Sequence, residues 1–399
     1  MPSSDATPPP VVLPQSGNLG LSGRGVAFGD TTGGGATRYA RIRYRLILVD
    51  VVGWLGFLWA YQRLGISATT AQWVSTNTFA EPVPILGYLV IFGVISYLVF
   101  LPLHVYRGFV LEHQFGLSRL TLAGWLWREA KHVLVSALIG LALIEGLYAL
   151  LRHAPTTWTV FATIGWVGVS IVLARVFPTW LLPIFYKTSP LVDASLTQRL
   201  LTLCQRAHLP VLGVFRVSLS KETRKANAAL AGLGRTRRVL LSDTLLEHFS
   251  PEEIETVLGH ELGHQRHHHI GKLLMLSGVG SFIAFSVVEA SSRLWIESLD
   301  LQGLADLAGF PTVMLALSLI GLIGLPLQNA ISRHFEWQAD RFAVTVTTRP
   351  RSFAAALRKL GELNLADPKP PRWVEVLFYD HPPITKRINF AEQNVESLT

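Results

Sequence analysis

The sequence predicts a mostly α-helical protein that crosses a membrane several times and carries a small β element outside it. Half of the 399 residues are hydrophobic and only 16% are charged, against about 25% in typical soluble domains. The apolar residues are concentrated in six runs, and each run is close to the roughly 20 residues that a helix needs to cross a hydrocarbon core. The polar residues collect mainly in two long segments, 187–269 and 332–399.

The order of these runs divides the chain into five parts. Residues 1–38 are rich in Pro, Gly, Ser and Thr, so we expect a disordered tail that cannot bury a core. The other parts are four apolar runs (39–186, with a polar loop at 107–131), a first polar segment (187–269), a hairpin of two runs (270–331) and a second polar segment (332–399). The runs themselves are Leu46–Tyr61, Pro84–Tyr106, His132–Leu151, Trp158–Phe185, Ile270–Glu289 and Pro311–Ile331.

The basic residues alternate between the two sides of the predicted membrane. Arginines precede the first run and basic residues fill the loop at 107–131, whereas the loops at 63–83, 152–157 and 291–310 hold few. This pattern predicts six spans with both termini and both polar segments on the cytoplasmic side. It also explains the net charge of +8 by topology and by nearby anionic membrane lipid, which argues against a nucleic-acid partner. The membrane would be a bacterial inner membrane or the endoplasmic reticulum, depending on the source.

The first polar segment mixes helix and strand patterns. Leu196–His208 has the apolar spacing of a helix, and Val214–Ser218 and Val239–Leu241 have the composition of short strands. Two glycines within 226–238 indicate a turn that joins two strands. These patterns predict the small β element.

The next helix carries two histidines at metal-ligand spacing. Ser250 and Glu253 predict a capping box at its start. His260 and His264 are four positions apart, so they share a helix face, and both imidazoles can reach one tetrahedral Zn²⁺. Glu261 then lies beside the open coordination position, where it would act as the base for a metal-activated water. The alternative is a polar helix face with solvated histidines.

A second motif, in residues 332–340, completes the predicted site. A catalytic zinc needs a third protein ligand, which Glu336 can supply, while Asp340, four positions on, can accept a hydrogen bond from a ligand histidine. Two apolar runs separate His264 from Glu336, and an even number of crossings returns the chain to the same side. The single cysteine, Cys204, leaves nitrogen and oxygen atoms as ligands for one zinc ion per chain. The alternative is a charged helix start after a span.

Together these motifs resemble the type I CAAX prenyl endopeptidases, a family of integral-membrane zinc proteases of the gluzincin type. The resemblance covers about residues 100–390. Heat-shock-type membrane proteases share the zinc motifs, but the EHQFGLSR loop favours the CAAX type. The segments that carry the resemblance are YRGFVLEHQFGLSRLT, KANAALAG, RRVLLSDTLL, HELGH followed by His269, SRHFEWQAD, and DHPP with Arg387.

The resemblance implies a polytopic membrane helical barrel with a large intramembrane chamber and a gluzincin-like zinc metalloprotease domain. It places Asn227 and Ala228 on an edge strand that pairs with the substrate backbone. It implies that His381 donates a hydrogen bond to the oxyanion and that Arg387 supports His381. The alternatives are a turn or a strand-end amide for Asn227 and a rigid turn for the segment at His381. We interpret 267–269 as polar residues at a helix end, because three ligands and water already fill a zinc site.

We therefore expect a zinc metalloendopeptidase that acts on CAAX-type, lipidated or other membrane-associated peptides. General quality control of membrane proteins would use the same chemistry. A transporter or channel is a rival from another class, but ionisable residues within the runs are few. A scaffold without activity is a second rival, against which the complete set of Glu261, both histidines and Glu336 argues. The family usually has seven spans, and six are counted here.

Overall fold

The computed structural model describes residues 34–77, 83–232 and 234–396. Most of the predicted disordered tail lies outside these residues. The first helix begins at Gly34, so the last five residues of that predicted tail are helical. The helices are α1 Gly34–Arg63, α2 Ile66–Asn77, α3 Val83–Val105, α4 Leu111–Gln114, α5 Leu122–His153, α6 Trp158–Val176, α7 Leu182–Phe185, α8 Ala194–Arg206, α9 Asp243–His248, α10 Pro251–Arg266, α11 His269–Ser298, α12 Phe310–Thr347, α13 Pro350–Leu363, α14 Arg372–Phe378 and α15 Ile384–Glu396.

Among the described residues six helical stretches are long and apolar enough to cross a membrane, which agrees with the predicted count. Only 6–22% of the residues in the apolar window of each stretch are buried within the chain. In a solid bundle the other helices would bury the inward face of every helix, and only the outward face would contact lipid. The buried fraction of each helix would then be larger than the fraction found here. The spans therefore form the wall of a hollow barrel, as expected. A cavity of about 850 Å³ lies between α1, α3 and α5, and its lining includes Trp54, Phe92 and Ile144.

Helix α2 was not expected, because its sequence is too short and too polar for a span. It lies in the predicted loop between the first two spans. Ser67 on α2 is fully buried, and its hydroxyl lies 2.6 Å from the Tyr88 hydroxyl and donates to the Ala308 carbonyl at 2.8 Å. These bonds fasten α2 across the end of the barrel that lies away from the polar segments.

The β element is a four-stranded sheet with the order β1-β2-β4-β3. The predicted strands are β2 and β4, which pair in parallel, and β3 is joined to β4 by the expected glycine-containing turn. Strand β1 was not predicted, since three residues carry no periodicity. Within the described residues β3 pairs only with β4, so it is an edge strand. The strands are β1 Thr188–Pro190, β2 Val214–Val217, β3 Ala228–Ala231 and β4 Arg238–Ser242.

The loop between the second and third spans is bound to the polar segment that contains the sheet. The backbone N–H of Arg119 donates to the Glu222 carbonyl, and that of Arg224 donates to the Leu117 carbonyl. Lys225 also forms an ion pair of 2.8 Å with Glu112, which accepts a hydrogen bond from the Tyr39 hydroxyl of α1. The start of α1, this loop and both polar segments therefore lie on one side of the barrel.

Helix α12 joins the sixth span to the second polar segment without a break. Its 38 residues correspond to a length of about 57 Å, well beyond the roughly 30 Å of a hydrocarbon core. Pro326 lies inside the helix and cannot donate to the carbonyl four residues earlier. The residues after Pro326 carry the predicted ligand Glu336.

Helices α10 and α12 pack against each other through small residues. A Cβ added to Gly263 would lie 2.8 Å from Ala339 Cα, and one added to Gly259 would lie 3.3 Å from Ala343 Cα. Both alanines are fully buried. The two backbones therefore approach as closely as glycine and alanine allow, and this close crossing brings the histidines of α10 beside the acidic residues of α12.

The first prediction concerns this crossing. Gly263→Ala should lower the free energy of unfolding by about 1–3 kcal/mol, because the new methyl group forces the two helices apart. The melting temperature of the detergent-solubilised protein measures the change. Gly280→Ala in α11 is the matched control, since no atom lies within 4 Å of the added Cβ; an equal melting temperature for both variants would contradict the close crossing.

Candidate metal centre

Helix α10 positions the two histidines of the predicted site. Ser250 caps its start, and both hydrogen bonds of the predicted capping box with Glu253 are present. His260 is buried and His264 is half-buried. The Nε2 atoms of the two histidines lie 3.1 Å apart, so both rings point to one place.

Glu336 of α12 brings its carboxylate to the same place. Its Oε2 lies 3.3 Å from His260 Nε2, and its Oε1 lies 3.2 Å from His264 Nε2. Ligand atoms bound to one tetrahedral zinc ion at 2.0–2.2 Å lie about 3.3–3.6 Å from one another, so the three side chains fit a metal ion. Glu336 Oε2 is buried and has no hydrogen-bond partner among the described residues, which is the state expected of an atom that binds a metal.

Asp340 lies next to the outer nitrogen of His260. His260 Nδ1–H donates to Asp340 Oδ1 at 2.8 Å, which leaves Nε2 free for a metal. Burial lowers the pKa of His260, but the nearby carboxylates of Asp340 and Glu336 outweigh this effect and raise the pKa to about 9. A metal ion must therefore displace a proton from His260 when it binds.

Arg387 contacts Asp340 rather than His381. Its Nε donates to Asp340 Oδ2 at 2.9 Å and its Nη2 donates to Oδ1 at 2.7 Å. This bidentate pair is buried. The attraction between the two charges offsets the free-energy cost of removing both from water. The structure thus differs from the expectation that Arg387 supports His381: it supports the partner of His260. The sequence could not show this, because the arginine reaches α12 from α15.

His269 is also placed differently from the prediction. We interpreted 267–269 as polar residues at a helix end, yet His269 is only 1% exposed. Its Nδ1 lies 3.0 Å from the Nδ1 of His264, and its Nε2 lies 2.8 Å from Gln338 Oε1. The chain reaches this position because His268, with φ 55°, adopts a left-handed conformation between α10 and α11. His269 is therefore a buried neighbour of the site.

Glu261, the predicted base, lies on α10 between the two histidines and is half-buried. Burial lowers the pKa of Arg387, but the charge of Asp340 raises it. The charge of Glu261 makes a smaller contribution in the same direction. Glu261 is therefore close to the group of charges around the site, as its position in the motif predicts.

His381 reaches the site from the turn before α15. Its Nε2 lies 3.3 Å from Glu336 Oε1, and its Nδ1 donates to Asp380 Oδ1 at 2.8 Å. Partial burial lowers the pKa of His381, but the carboxylates of Asp380 and Glu336 raise it above its usual value. The ring is half-exposed and presents Nε2 on the open side of the site.

The segment that carries His381 is bound to α12 just before Glu336. Arg333 Nη1 donates to the Tyr379 carbonyl at 2.6 Å and to the Glu375 carbonyl at 2.8 Å. Asn329 donates to the Leu377 carbonyl at 2.6 Å. These residues were not predicted to matter, although their spacing of three and seven positions before Glu336 is a helical signal.

Asn227 and Ala228 lie at the start of edge strand β3, as the resemblance implied. The Asn227 N–H donates to Ser242 Oγ, and its carbonyl accepts from the Ser242 N–H. These bonds hold the backbone of Asn227 while its side chain stays exposed. The outer edge of β3 remains available for another strand.

Comparisons with known proteins agree with this arrangement. The family model for peptidase family M48 matches residues 190–395, and the model for the CAAX prenyl protease N-terminal region, five membrane helices, matches residues 35–187. In that N-terminal region the described residues hold four stretches that can cross a membrane, together with the shorter α2. The usual seventh span of the family is not found among the described residues.

Several relatives are similar over most of their length. The uncharacterized metalloprotease YhfN of Bacillus subtilis is 26% identical, with 90% of this chain and 85% of the relative covered. CAAX prenyl protease 1 of Saccharomyces cerevisiae is 28% identical, with coverage of 78% and 72%. The crystal structure of S. mikatae Ste24p shares the fold, with a TM-score of 0.79, 24% identity and coverage of 89% and 87%. The chain therefore belongs to peptidase family M48 and is a membrane zinc metalloprotease.

Proposed function

We propose that the chain is an integral-membrane zinc endopeptidase in which His260, His264 and Glu336 hold one zinc ion. The observation that carries this proposal is the meeting of three side chains from two helices, with 3.1–3.3 Å between their nitrogen and oxygen atoms. A zinc ion held by these three residues would lower the pKa of a bound water to about 7 and would polarise the scissile carbonyl.

The residues around this position have the groups that peptide hydrolysis needs. Glu261 accepts the proton of the attacking water and passes it to the leaving amine. Asp340 keeps His260 in the tautomer whose Nε2 can bind a metal, and Arg387 keeps Asp340 ionised and in place. His381 donates from Nε2 to the oxyanion that forms when water adds to the carbonyl.

The substrate would bind as an extended peptide along β3. Asn227 and Ala228 start the free edge of the sheet, and a peptide that adds a strand there satisfies its own backbone hydrogen bonds. The site lies where the second polar segment leaves the sixth span, so a bound peptide can have one end in the barrel. We place this side of the membrane in the cytoplasm, from the basic residues of its loops.

The hollow barrel supports substrates that carry an apolar chain. The cavity between α1, α3 and α5 is lined mainly by apolar side chains and has an ion pair of Asp50 with Arg107 at 2.9 Å near one end. Such a cavity suits the hydrocarbon chain of a lipidated C-terminal Cys-x-x-x peptide. The relative from Saccharomyces cerevisiae is named a CAAX prenyl protease, which agrees with this substrate class. Quality control of membrane proteins is the second candidate function.

The second prediction concerns the catalytic base. Glu261→Gln should reduce kcat by about 10²- to 10⁴-fold, because the amide cannot accept the proton of the water. The zinc content should remain near one per chain, since Glu261 is not a proposed ligand. Glu252→Gln on the same helix is the control and should retain full activity. Proteolysis that persists in Glu261→Gln would remove this residue as the base.

The third prediction concerns the oxyanion donor. His381→Phe should lower kcat by about 10²- to 10³-fold with little change in KM, because the donor acts on charge that develops in the transition state. Steady-state cleavage of a fluorogenic peptide separates the two constants, and His248→Phe at an exposed position of α9 is the control. A higher KM with unchanged kcat would show that His381 binds substrate only.

The fourth prediction concerns the lipid chain. A farnesylated peptide ending in Cys-x-x-x should have a kcat/KM at least about tenfold above that of the unmodified peptide. Tenfold needs only about 1.4 kcal/mol, which is less than the burial of two methylene groups supplies. Purified protein and both peptides are sufficient for the measurement. Equal cleavage of the two peptides would favour quality control instead, and would leave the zinc chemistry intact.

A further inference from the structure

A chain of hydrogen bonds leads away from His264 through the buried His269 to the protein surface. His264 Nδ1 lies 3.0 Å from His269 Nδ1, His269 Nε2 lies 2.8 Å from Gln338 Oε1, and Gln338 Nε2 lies 3.0 Å from His334 Nε2. The chain of bonds ends at His334, whose side chain is exposed. It uses no carboxylate, unlike the pair of Asp340 and Arg387 that holds His260.

If His264 binds a metal through Nε2, only one assignment of donors and acceptors is possible for these hydrogen bonds. The Nδ1 of that neutral ring must then carry the proton, so His264 donates to His269 Nδ1. His269 in turn carries its proton on Nε2 and donates to the carbonyl oxygen of Gln338. The amide nitrogen of Gln338 donates to His334, which gives the orientation of the amide that the structure has.

Packing fixes the orientation of the His269 ring. The ring stacks on Phe335 with 4.3 Å between centroids and 9° between planes. His267 stacks at 5.5 Å and 18°. Because the ring is held by two aromatic neighbours and is almost fully buried, its Nδ1 stays aimed at His264 without any ligand present. Phe335 and Gln338 lie on the same helix as Glu336, so one helix supplies a ligand and positions the support of another ligand.

We propose that His269 and Gln338 are positioning residues that fix the tautomer of His264 and hold its Nε2 toward the metal. This inference rests on the proposed zinc ligation by His264. The zinc ion then has two supported histidines: His260 is held by a charged carboxylate, and His264 is held by a neutral chain. Residues that orient metal-binding histidines in this way commonly change metal affinity by about 10- to 100-fold when they are replaced.

Zinc affinity of the full-length protein in detergent tests the proposal, by competition with a chromogenic chelator. His269→Leu removes the acceptor and should weaken zinc binding by about 10- to 100-fold. His269→Asn should restore most of the affinity, because its side-chain oxygen can accept in place of Nδ1. Gln338→Met should also weaken binding, without touching His264 itself. The absorption spectrum of the cobalt-substituted protein should change in His269→Leu and return toward the wild-type spectrum in His269→Asn.

The controls separate this inference from the proposed function. His267→Phe keeps a stacked ring beside His269 and should leave zinc affinity unchanged. If His264→Ala loses zinc while His269→Leu and Gln338→Met bind it as tightly as the wild type, the positioning role is wrong and the zinc site stands. Equal losses in His267→Phe and His269→Leu, or no recovery in His269→Asn, would also overturn it. Unchanged zinc binding in His264→Ala would refute the proposed function itself.

Discussion

The close crossing of α10 and α12 is the constraint on which the site depends. Two glycines on one helix face two alanines on the other, so that the backbones approach without intervening side chains. At this separation a histidine of α10 and a glutamate of α12 bring their polar atoms within 3.3 Å of each other. Larger residues at the crossing would move α12 away from α10, and the Glu336 carboxylate would move with it. Close packing of small residues thus determines the distances between Glu336 and the two histidines.

Once the helices are in place, the remaining groups hold each ligand separately. The ligand on the buried side is paired with Asp340, whose charge is balanced by Arg387 from α15. His264, the proposed ligand on the more open side, is bonded to uncharged groups that come from the start of α11 and from α12. The segment with His381 is tied to α12 by Arg333 and Asn329. Helix α12 therefore carries Glu336, supports both histidines and holds the segment of His381, the proposed oxyanion donor.

Local patterns in the sequence were sufficient for the spans, the capped helix and the spacing of the ligands, because each depends on residues within one or two helical turns. The even number of apolar runs between His264 and Glu336 was enough to predict that the two distant motifs meet. The partner of Arg387 and the burial of His269 could not be predicted, because they depend on how α15 and α11 pack onto other helices. Helix α2 was missed for a similar reason: its short, polar sequence is stabilised by contacts with the barrel, not by its own periodicity.

Pro326 has a consequence for how the membrane acts on the enzyme. Helices tilt to match bilayers of different thickness, and a continuous α12 would carry such a tilt directly to the ligand ten residues further on. The proline leaves one carbonyl without its helical donor, which makes this the point where the helix can bend most easily. A change of tilt in the apolar half can be taken up there, so we expect the position of Glu336 relative to the histidines to depend little on membrane thickness.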